Sequence, residues 1–418
     1  MATDQAPLLP FPGVAGAAAP EVGGPFPATT LRHLASDAPQ HRHTAPMSGR
    51  PLVAIFLGTR PEAIKLAPVV RGFRDRGVPT AVIGTGQHLE MVDQVLHLFG
   101  IELDENLELM RPGQSLDHVL AGSISGVGEL LDQYVPQAVV VQGDTSSALG
   151  TSIAAFHRSI PIAHVEAGLR SHDLALPFPE EMNRRATSIV ARWHFAPTER
   201  AAQNLAREGV DGEVHVVGNT VVDALRQIVD SDPPLSPEVA AFVRDHPLII
   251  ATAHRRESWG GGIENVAVAL RQVLDEMPDH RLVFVTHPNP IARAPVVAAL
   301  SGHPRALIPG PLPYTSFVAL LQRARLAVSD SGGIQEEGPT LGIPVLVTRE
   351  RTEREEGLEA GAVMLVGTDP ARILAESRRI LGDPEAHAAM ARAGRDLYGD
   401  GHAAERISEI LMSALVAG

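Results

Sequence analysis

The chain has 418 residues, of which 44% are hydrophobic and 20% are charged, and its formal net charge is −14. This length is too great for one ordinary core and predicts a globular protein of two or three domains. The negative charge argues against binding to nucleic acid or to an anionic membrane, and no apolar run approaches the ~18 residues of a membrane span. Because the chain has no cysteine, disulfides, thiolate metal sites and a cysteine nucleophile are excluded.

Residues 1–50 differ in composition from the rest of the chain. They are rich in alanine, proline and glycine, and they have neither periodicity nor the basic and apolar regions of a secretion signal. We predict a disordered N-terminal extension over 1–50. Met47 stands just before the first convincing strand, which suggests the hypothesis that translation begins there.

From Leu52 onward, short apolar runs alternate with helix-compatible segments, the pattern of a parallel sheet covered on both faces. The strands predicted in the first part of the chain are 52–57, 80–83, 138–141, 160–165 and 213–217. The helices predicted there are 88–99, 116–131, 148–157, 180–190 and 198–208.

A proline-rich stretch at 231–237 predicts a link between domains, and the alternation then restarts. The strands predicted after the link are 248–252, 282–286, 306–308, 326–329, 345–347 and 363–366, with helices that include 263–276 and 314–323. The pattern therefore predicts an α/β fold with two Rossmann-like, doubly wound domains, at 51–225 and 226–395, and a cleft between them.

Polar clusters follow six of the predicted strands at their carboxyl ends. They are Gly58-Thr59-Arg60, Gly143-Asp144-Thr145, Glu166, the run from His254 to Glu257, His287 and Ser331. Because open α/β sheets bind ligands beyond the carboxyl ends of their strands, these clusters predict one ligand site in the cleft.

The stretch 330–339 predicts how an anionic ligand is held. The chain turns from strand to helix at Ser331, and Gly332 and Gly333 let the backbone approach a ligand closely. Free N–H groups at a helix start favour a phosphate, and Glu337, about one and a half turns further, could accept bonds from sugar hydroxyls. A diphosphate and a ribose are the predicted ligand groups. The alternative interpretation is a tight packing turn with solvated acids.

Several carboxylates are predicted to share the cleft, namely Asp144, Glu166, Glu180 and Glu181. Crowded carboxylates raise one another's pKa, which suits them to proton transfer near neutral pH. For the two glutamates at 180 and 181 the alternative is a favourable charge at the start of a helix.

Basic groups near the glycine turns are candidates to neutralise phosphates: Arg60, Arg255 and Arg256. Lys65 is either a further candidate or a solvated helix residue, and His254 is a candidate phosphate donor or acid. No GxGxxG fingerprint follows the first strand and no HExxH or similar ligand set occurs, so we predict neither a nicotinamide cofactor nor a metal site.

Seven motifs in order resemble those of the non-hydrolysing UDP-N-acetylglucosamine 2-epimerases, over about residues 51–416. They are GTRPEAIK at 58–65, GDT at 143–145, HVEAGLR at 164–170, PEEMNR at 179–184, GNT at 218–220, HRRES at 254–258 and DSGGIQEE at 330–337. The resemblance implies a glycosyltransferase-B type fold whose last helix, in 396–418, crosses back to the first domain. It also implies interconversion of UDP-GlcNAc and UDP-ManNAc, a homodimer, a cytoplasmic location and precursor supply for cell-surface polysaccharide.

The same resemblance implies roles for individual residues. Asp144, Glu166 and Glu180 match the catalytic carboxylates, and Gln87 and His287 match an activating site for UDP-GlcNAc. The positions that match nucleotide-binding groups, or lie beside them, are Arg60, Lys65, Arg184, His254, Arg255, Ser331, Gly332, Gly333 and Glu337.

The expected chemistry is elimination of UDP to give 2-acetamidoglucal, followed by re-addition. Three alternatives stay open at this point. The loop at 171–176 differs from commoner versions in the family, so the substrate could be a 2,3-diacetamido or uronic UDP-sugar. The others are an inverting glycosyltransferase of the same fold and a non-catalytic UDP-sugar sensor.

Overall fold

Two parallel β-sheets form the framework of the computed structural model, which describes residues 53–86, 89–109, 113–255, 259 and 261–417. The first sheet contains β1 (Val53–Leu57), β2 (Thr80–Gly84), β3 (Glu105–Asn106), β4 (Ala138–Gln142), β5 (Ile162–Val165), β6 (Trp193–Ala196) and β7 (Glu213–Val216). Its helices are α1 (Arg60–Asp75), α2 (Leu89–Leu98), α3 (Leu116–Tyr134), α4 (Ser146–Phe156), α5 (Glu180–Val190), α6 (Glu199–Glu208) and α7 (Thr220–Asp230). The predicted extension and the hypothetical start at Met47 lie outside the described residues.

The second sheet follows α8 (Pro237–Val243). Its strands are β8 (Leu248–Thr252), β9 (Arg281–Phe284), β10 (Ala306–Leu307), β11 (Ala324–Ser329), β12 (Val345–Val347) and β13 (Val363–Leu365). Its helices are α9 (Gly262–Glu276), α10 (Pro290–Leu300), α11 (Tyr314–Arg323), α12 (Gly332–Thr340), α13 (Glu355–Glu359), α14 (Pro370–Gly382) and α15 (Pro384–Ala393), and α16 (Ala403–Ala417) ends the fold. Below, 53–230 is the first half and 237–393 the second half.

The strand orders place the ligand site. The first sheet runs β3-β2-β1-β4-β5-β6-β7 and the second β10-β9-β8-β11-β12-β13, with parallel pairing throughout the described strands. The order reverses between β1 and β4 in one sheet and between β8 and β11 in the other. Crevices form at such switch points. The polar clusters at Gly58, Gly143, His254 and Ser331 follow these four strands, and the predicted α/β fold with two doubly wound sheets is confirmed.

Two strands are missing from the sequence prediction, β3 and β6. β3 has only two residues, Glu105 and Asn106, neither of them apolar, so hydrophobic periodicity cannot detect it. β6 reads Trp-His-Phe-Ala and is fully buried, but unlike the predicted strands it contains no valine or isoleucine. The predicted strand at 160–165 starts later, at Ile162, because Pro161 has no N–H to donate to the sheet.

The last helix packs against the first half. Asp223 of α7 accepts hydrogen bonds from the backbone N–H groups of Ala403 and Ala404, and the latter bond measures 2.9 Å. Ile407 and Leu411 are fully buried in the core that covers the first sheet. The predicted domain bounds themselves stay a prediction. Within the described part of the chain, no helix combines the length and the apolar character needed to cross a membrane.

Candidate active site

Glu166 follows β5 at the carboxyl edge of the first sheet and is 9% exposed. Its φ of +63° lies in the left-handed region, which a residue other than glycine occupies only at a cost of about 1–3 kcal/mol. Its carboxylate accepts hydrogen bonds from the side chains of Lys65 and Gln142, and the Arg354 Nη2 atom lies 3.6 Å from its Oε1. The strained turn therefore directs this acid into a polar cluster.

That cluster spans both halves of the chain. The Lys65 Nζ atom of α1 lies 2.8 Å from Glu336 Oε2 of α12, and Arg354 Nε lies 2.7 Å from Glu336 Oε1. Lys65 is only 5% exposed, so the alternative that it is a solvated helix residue is wrong. The end of β5 is thus connected through Lys65 to the helix that follows β11.

The two carboxylates of the cluster differ in their pKa. Burial raises the pKa of Glu166 to about 7, although Lys65 and Arg354 oppose that shift. Burial acts in the same direction on Glu336, but Arg354 and Lys65 outweigh it and lower its pKa to about 2. A pair of acids whose environments separate their pKa values in this way is typical of acid–base sites.

Asp144 follows β4 in a turn where Gly143 has a φ of +69°. The Nε atom of Arg184 lies 3.1 Å from Asp144 Oδ2, and Nη1 of the same arginine lies 3.0 Å from Glu181 Oε2. The Asn183 side chain donates to the Asp144 carbonyl at 2.9 Å. The Asp144 side chain remains 27% exposed, so a ligand can reach it.

The two glutamates that begin α5 have different surroundings. Glu180 is partly exposed, and burial and the nearby Asp144 raise its pKa while Arg255 and Arg184 oppose that shift. Glu180 therefore faces the same space as Asp144. Glu181 is fully buried and accepts from the backbone N–H groups of Ser171 and His172 at 3.0 and 3.3 Å, so it holds the chain after Arg170 while it also lies in the first turn of α5.

The strand-to-helix turn before α12 has one closed side and one open side. At Gly332 an added Cβ would lie 2.8 Å from the Arg354 guanidinium, whereas at Gly333 the nearest atom would be 3.8 Å away, on Glu337. Ser331 occupies the N-cap position with extended backbone, as predicted for the start of this helix. The Gly333 side is therefore where a phosphate can approach the helix N-terminus.

Glu337 is buried and accepts a 2.7 Å hydrogen bond from the Tyr314 hydroxyl. Burial raises the pKa of Glu337, and the Tyr314 hydrogen bond acts against that rise. The guanidinium carbon of Arg60 lies 5.6 Å from the centre of the Tyr314 ring. Arg60 from the first half and Glu337 from the second half thus both contact Tyr314, one at its ring and the other at its hydroxyl.

Asp330 organises the loop after β8. It accepts from the backbone N–H groups of His254 and Arg255 at 2.8 Å each, and His254 Nδ1 lies 3.1 Å from its Oδ1. Burial would raise the pKa of Asp330, but the contacts with His254 and the two backbone N–H groups lower it. The His254 ring stacks on His287, with centroids 6.1 Å apart, so these two predicted residues are neighbours.

The structure brings together most of the predicted site residues and adds others that sequence reasoning missed. Gln87 and Arg256 lie outside the described residues. The missed residues are Gln142, Tyr314, Glu336 and Arg354. The position of Glu336 beside Glu337 was a usable signal, whereas Arg354 follows β12 only after a loop. Among the described residues, no group of three or more histidine, aspartate or glutamate side chains is arranged to hold a metal ion.

Comparison with known proteins places the chain among its relatives. The model of the UDP-N-acetylglucosamine 2-epimerase family matches residues 73–412. The UDP-N-acetylglucosamine 2-epimerase of Escherichia coli strain K12 is 46% identical over 368 residues, which cover 86% of this chain and 98% of that protein. A UDP-GlcNAc 2-epimerase from Neisseria meningitidis, solved bound to UDP-GlcNAc, is 39% identical with a TM-score of 0.82 and covers 87% of this chain and 100% of that one.

A spinosyn rhamnosyltransferase shares the fold alone, at 15% identity with a TM-score of 0.53, over 86% of this chain and 100% of that one. Two parallel sheets with acids and a glycine turn at their switch points define a two-sheet α/β enzyme of the glycosyltransferase-B type. The chain belongs to the UDP-N-acetylglucosamine 2-epimerase family. An epimerase is an isomerase, so the predicted family, fold class and enzyme class are confirmed.

Proposed function

We propose that the protein reversibly epimerises C2 of UDP-N-acetylglucosamine to give UDP-N-acetylmannosamine. The observation on which this rests most is Glu166, a buried carboxylate with a pKa of about 7 that is connected through Lys65 to the helix expected to bind UDP. The family supplies the substrate class, since the Neisseria relative was solved with UDP-GlcNAc bound.

The reaction requires a base at C2 of the sugar and groups that stabilise the UDP leaving from C1. The C2 proton is not adjacent to a carbonyl, so a base removes it only if the C1–O bond to UDP breaks in the same or a preceding step. The electron pair of the C–H bond then forms the C1=C2 double bond of 2-acetamidoglucal, and the C1–O pair leaves with UDP. For the return, a proton adds to the opposite face of C2 and a UDP oxygen bonds to C1. Atoms and charge therefore balance without an external oxidant or reductant.

The UDP leaving group needs positive charge and N–H donors where its negative charge develops. We assign that task to Arg60, Lys65, Arg184 and Arg255 together with Ser331, Gly332 and Gly333 at the start of α12. Glu337, oriented by Tyr314, is assigned to the ribose hydroxyls. His254, held beside Asp330, is assigned as a donor to a phosphate oxygen or as an acid.

Inversion at C2 needs two acid–base groups on different sides of the sugar, or an intermediate that shifts between them. Glu166 lies after β5, whereas Asp144 and Glu180 lie together at the ends of β4 and at the start of α5. We propose that Glu166 serves one face and the Asp144–Glu180 pair the other. A closed cleft would retain the glucal between the two steps.

Proton NMR in deuterated buffer tests the function. The expected result is conversion of UDP-GlcNAc to UDP-ManNAc with deuterium at C2 of both sugars. Transfer of the sugar to an acceptor without C2 exchange would instead indicate an inverting glycosyltransferase. Turnover of only 2,3-diacetamido or uronic UDP-sugars would change the substrate. Tight binding of UDP-sugar without any exchange would indicate a sensor.

Four further properties implied by the resemblance stay predictions. A homodimer is tested by light scattering, and a cytoplasmic location by cell fractionation. Activation by UDP-GlcNAc at a second site is tested by sigmoidal kinetics that His287→Ala makes hyperbolic. A role in supplying cell-surface polysaccharide is tested by deleting the gene and analysing the polysaccharide.

A further inference from the structure

His164 is a buried histidine that the chemistry above does not use. It is the third residue of β5, fully buried, and two positions before Glu166. A histidine at such a position is most often a satisfied core residue. Its contact is specific, however, because its Nε2 atom lies 2.8 Å from the carbonyl oxygen of Gly143. A carbonyl accepts, so Nε2 bears the proton.

This hydrogen bond is part of a set that ties the end of β4 to the end of β5. The Gly143 backbone N–H donates to the Val165 carbonyl at 3.0 Å, and the Gln142 side chain donates to Glu166. Gly143 is the left-handed residue immediately before Asp144. Gly143, the residue before Asp144, is thus held through its carbonyl by His164 and through its N–H by Val165, and these two residues lead directly to Glu166.

The surroundings of the His164 ring fix its tautomer. His164 Nδ1 is buried without a hydrogen-bond partner among the described residues, so a second proton there would be an unsatisfied donor. Burial therefore lowers the pKa of His164 to about 3, helped by His194 and Arg170 and opposed by the Gly143 carbonyl and Asp144. With this pKa the ring is neutral near pH 7, which fits a structural hydrogen bond and not proton transfer.

We propose that His164 is a positioning residue, whose Nε2–H bond to the Gly143 carbonyl sets the distance and orientation of Asp144 relative to Glu166. This inference rests on the proposed function, because it assigns the geometry between the two groups that exchange the C2 proton. Displacement of a catalytic group by about 1 Å can lower the rate roughly 100-fold. The residues assigned to UDP are not part of this hydrogen bond, so UDP affinity should not change.

Three substitutions at His164 and one in the neighbouring strand test the proposal. His164→Gln places an amide N–H close to the position of Nε2, His164→Asn places it too far from Gly143, and His164→Leu removes it. The matched control is His194→Leu, because His194 is the fully buried register partner of His164 on β6, one strand further from the Gly143 turn.

We expect His164→Leu and His164→Asn to lower kcat by roughly 30- to 100-fold. The UDP dissociation constant and the shape of the pH–rate profile should stay as in the wild type. His164→Gln should recover kcat to within about threefold of the wild type, and His194→Leu should lower Tm with little loss of kcat at 25 °C. If His164→Leu does not fold, the kcat values of His164→Gln and His164→Asn test the positioning role by themselves.

Equal kcat for the Gln and Asn variants would overturn the positioning role, as would a loss of kcat in His194→Leu that matches the His164 variants. A changed pH profile in His164→Gln would also overturn it, because it would make the ring a titrating participant. Wild-type turnover of UDP-GlcNAc, measured first, tests the proposed function separately from these ratios.

Discussion

A buried carboxylate is costly when ionised, and Glu166 shows how a protein can leave that cost partly uncompensated. Lys65 and Arg354 stabilise the ionised form, yet both are shared with Glu336, and Arg354 also pairs with Glu353. Burial therefore remains the dominant influence on the pKa of Glu166. The result is a group that can both accept and return a proton near pH 7, as the proposed reaction requires in its two directions.

The pKa of Glu166 predicts how the rate depends on pH. A base must be ionised, and with a pKa of about 7 its ionised fraction falls as pH is lowered through that value. In the direction in which Glu166 removes the C2 proton, kcat should drop by about tenfold per pH unit below the apparent pKa. Lys65→Met removes a charge that lowers this pKa, so its acid limb should shift to higher pH. A wild-type limb near the ordinary glutamate value would contradict the assignment.

Asp144→Asn should separate catalysis from folding. The buried Arg184 keeps Glu181 as its partner at 3.0 Å, so the variant should fold and bind UDP with an affinity within about threefold of wild type. Loss of the acid–base group should lower kcat by about 100- to 10,000-fold. The control is Asp132→Asn, which weakens an exposed ion pair with Arg158. Near-wild-type turnover in Asp144→Asn would exclude it from the chemistry, and kinetics with calorimetry measure both quantities.

At the scale of elements, the sequence located the carboxyl ends of the strands that carry polar clusters better than it found every strand. A polar cluster directly after an apolar run is a local signal, and it correctly marked the ends of β1, β4, β8 and β11. Hydrophobic periodicity failed for β3, which has no apolar residue, and for the short β6. The missed partners of the site, such as Tyr314 and Arg354, act through tertiary contacts that leave no local pattern.

The start of α12 offers a prediction in which two adjacent glycines behave differently. Gly332→Ala would press its Cβ against the Arg354 guanidinium at 2.8 Å, so it should lower Tm and weaken UDP binding. Gly333→Ala meets nothing closer than 3.8 Å in the unliganded fold, so its Tm should remain within about 2 °C of the wild type. If the diphosphate sits against Gly333, that variant should still bind UDP at least about tenfold more weakly. Unchanged UDP affinity in Gly333→Ala would show that the diphosphate does not bind at this turn.

At the scale of the whole molecule, one helix and one charged cluster are prominent among the connections between the two sheets. α7 packs against α1 of the first half and against α11 and α12 of the second half. Tyr314 and Val318 of α11 therefore belong to the core that covers the first sheet. The cluster of Lys65, Glu166 and Glu336 adds a buried polar connection. Neither connection was predictable from the sequence, because each depends on how two independently patterned sheets approach one another.

The contribution of the buried Lys65 cluster to the free energy of unfolding can be compared with that of an exposed ion pair between the same two halves. Lys65→Met would leave Glu166 and Glu336 with one fewer cation in a buried site, and removal of one partner from such a site costs about 3–5 kcal/mol. Arg351→Ala removes the pair with Asp173, in which the arginine is 62% exposed, and such surface pairs contribute about 0–1 kcal/mol. Denaturant unfolding monitored by circular dichroism should therefore show a much larger loss of the free energy of unfolding in Lys65→Met. The loss of free energy of unfolding in Lys65→Met should be smaller at pH 5 than at pH 8. At pH 5 Glu166 is protonated, so only Glu336 lacks the charge of Lys65, and Arg354 remains beside it. Equal stability of the two variants at pH 8 would mean that the charged cluster contributes no more to stability than an exposed ion pair does.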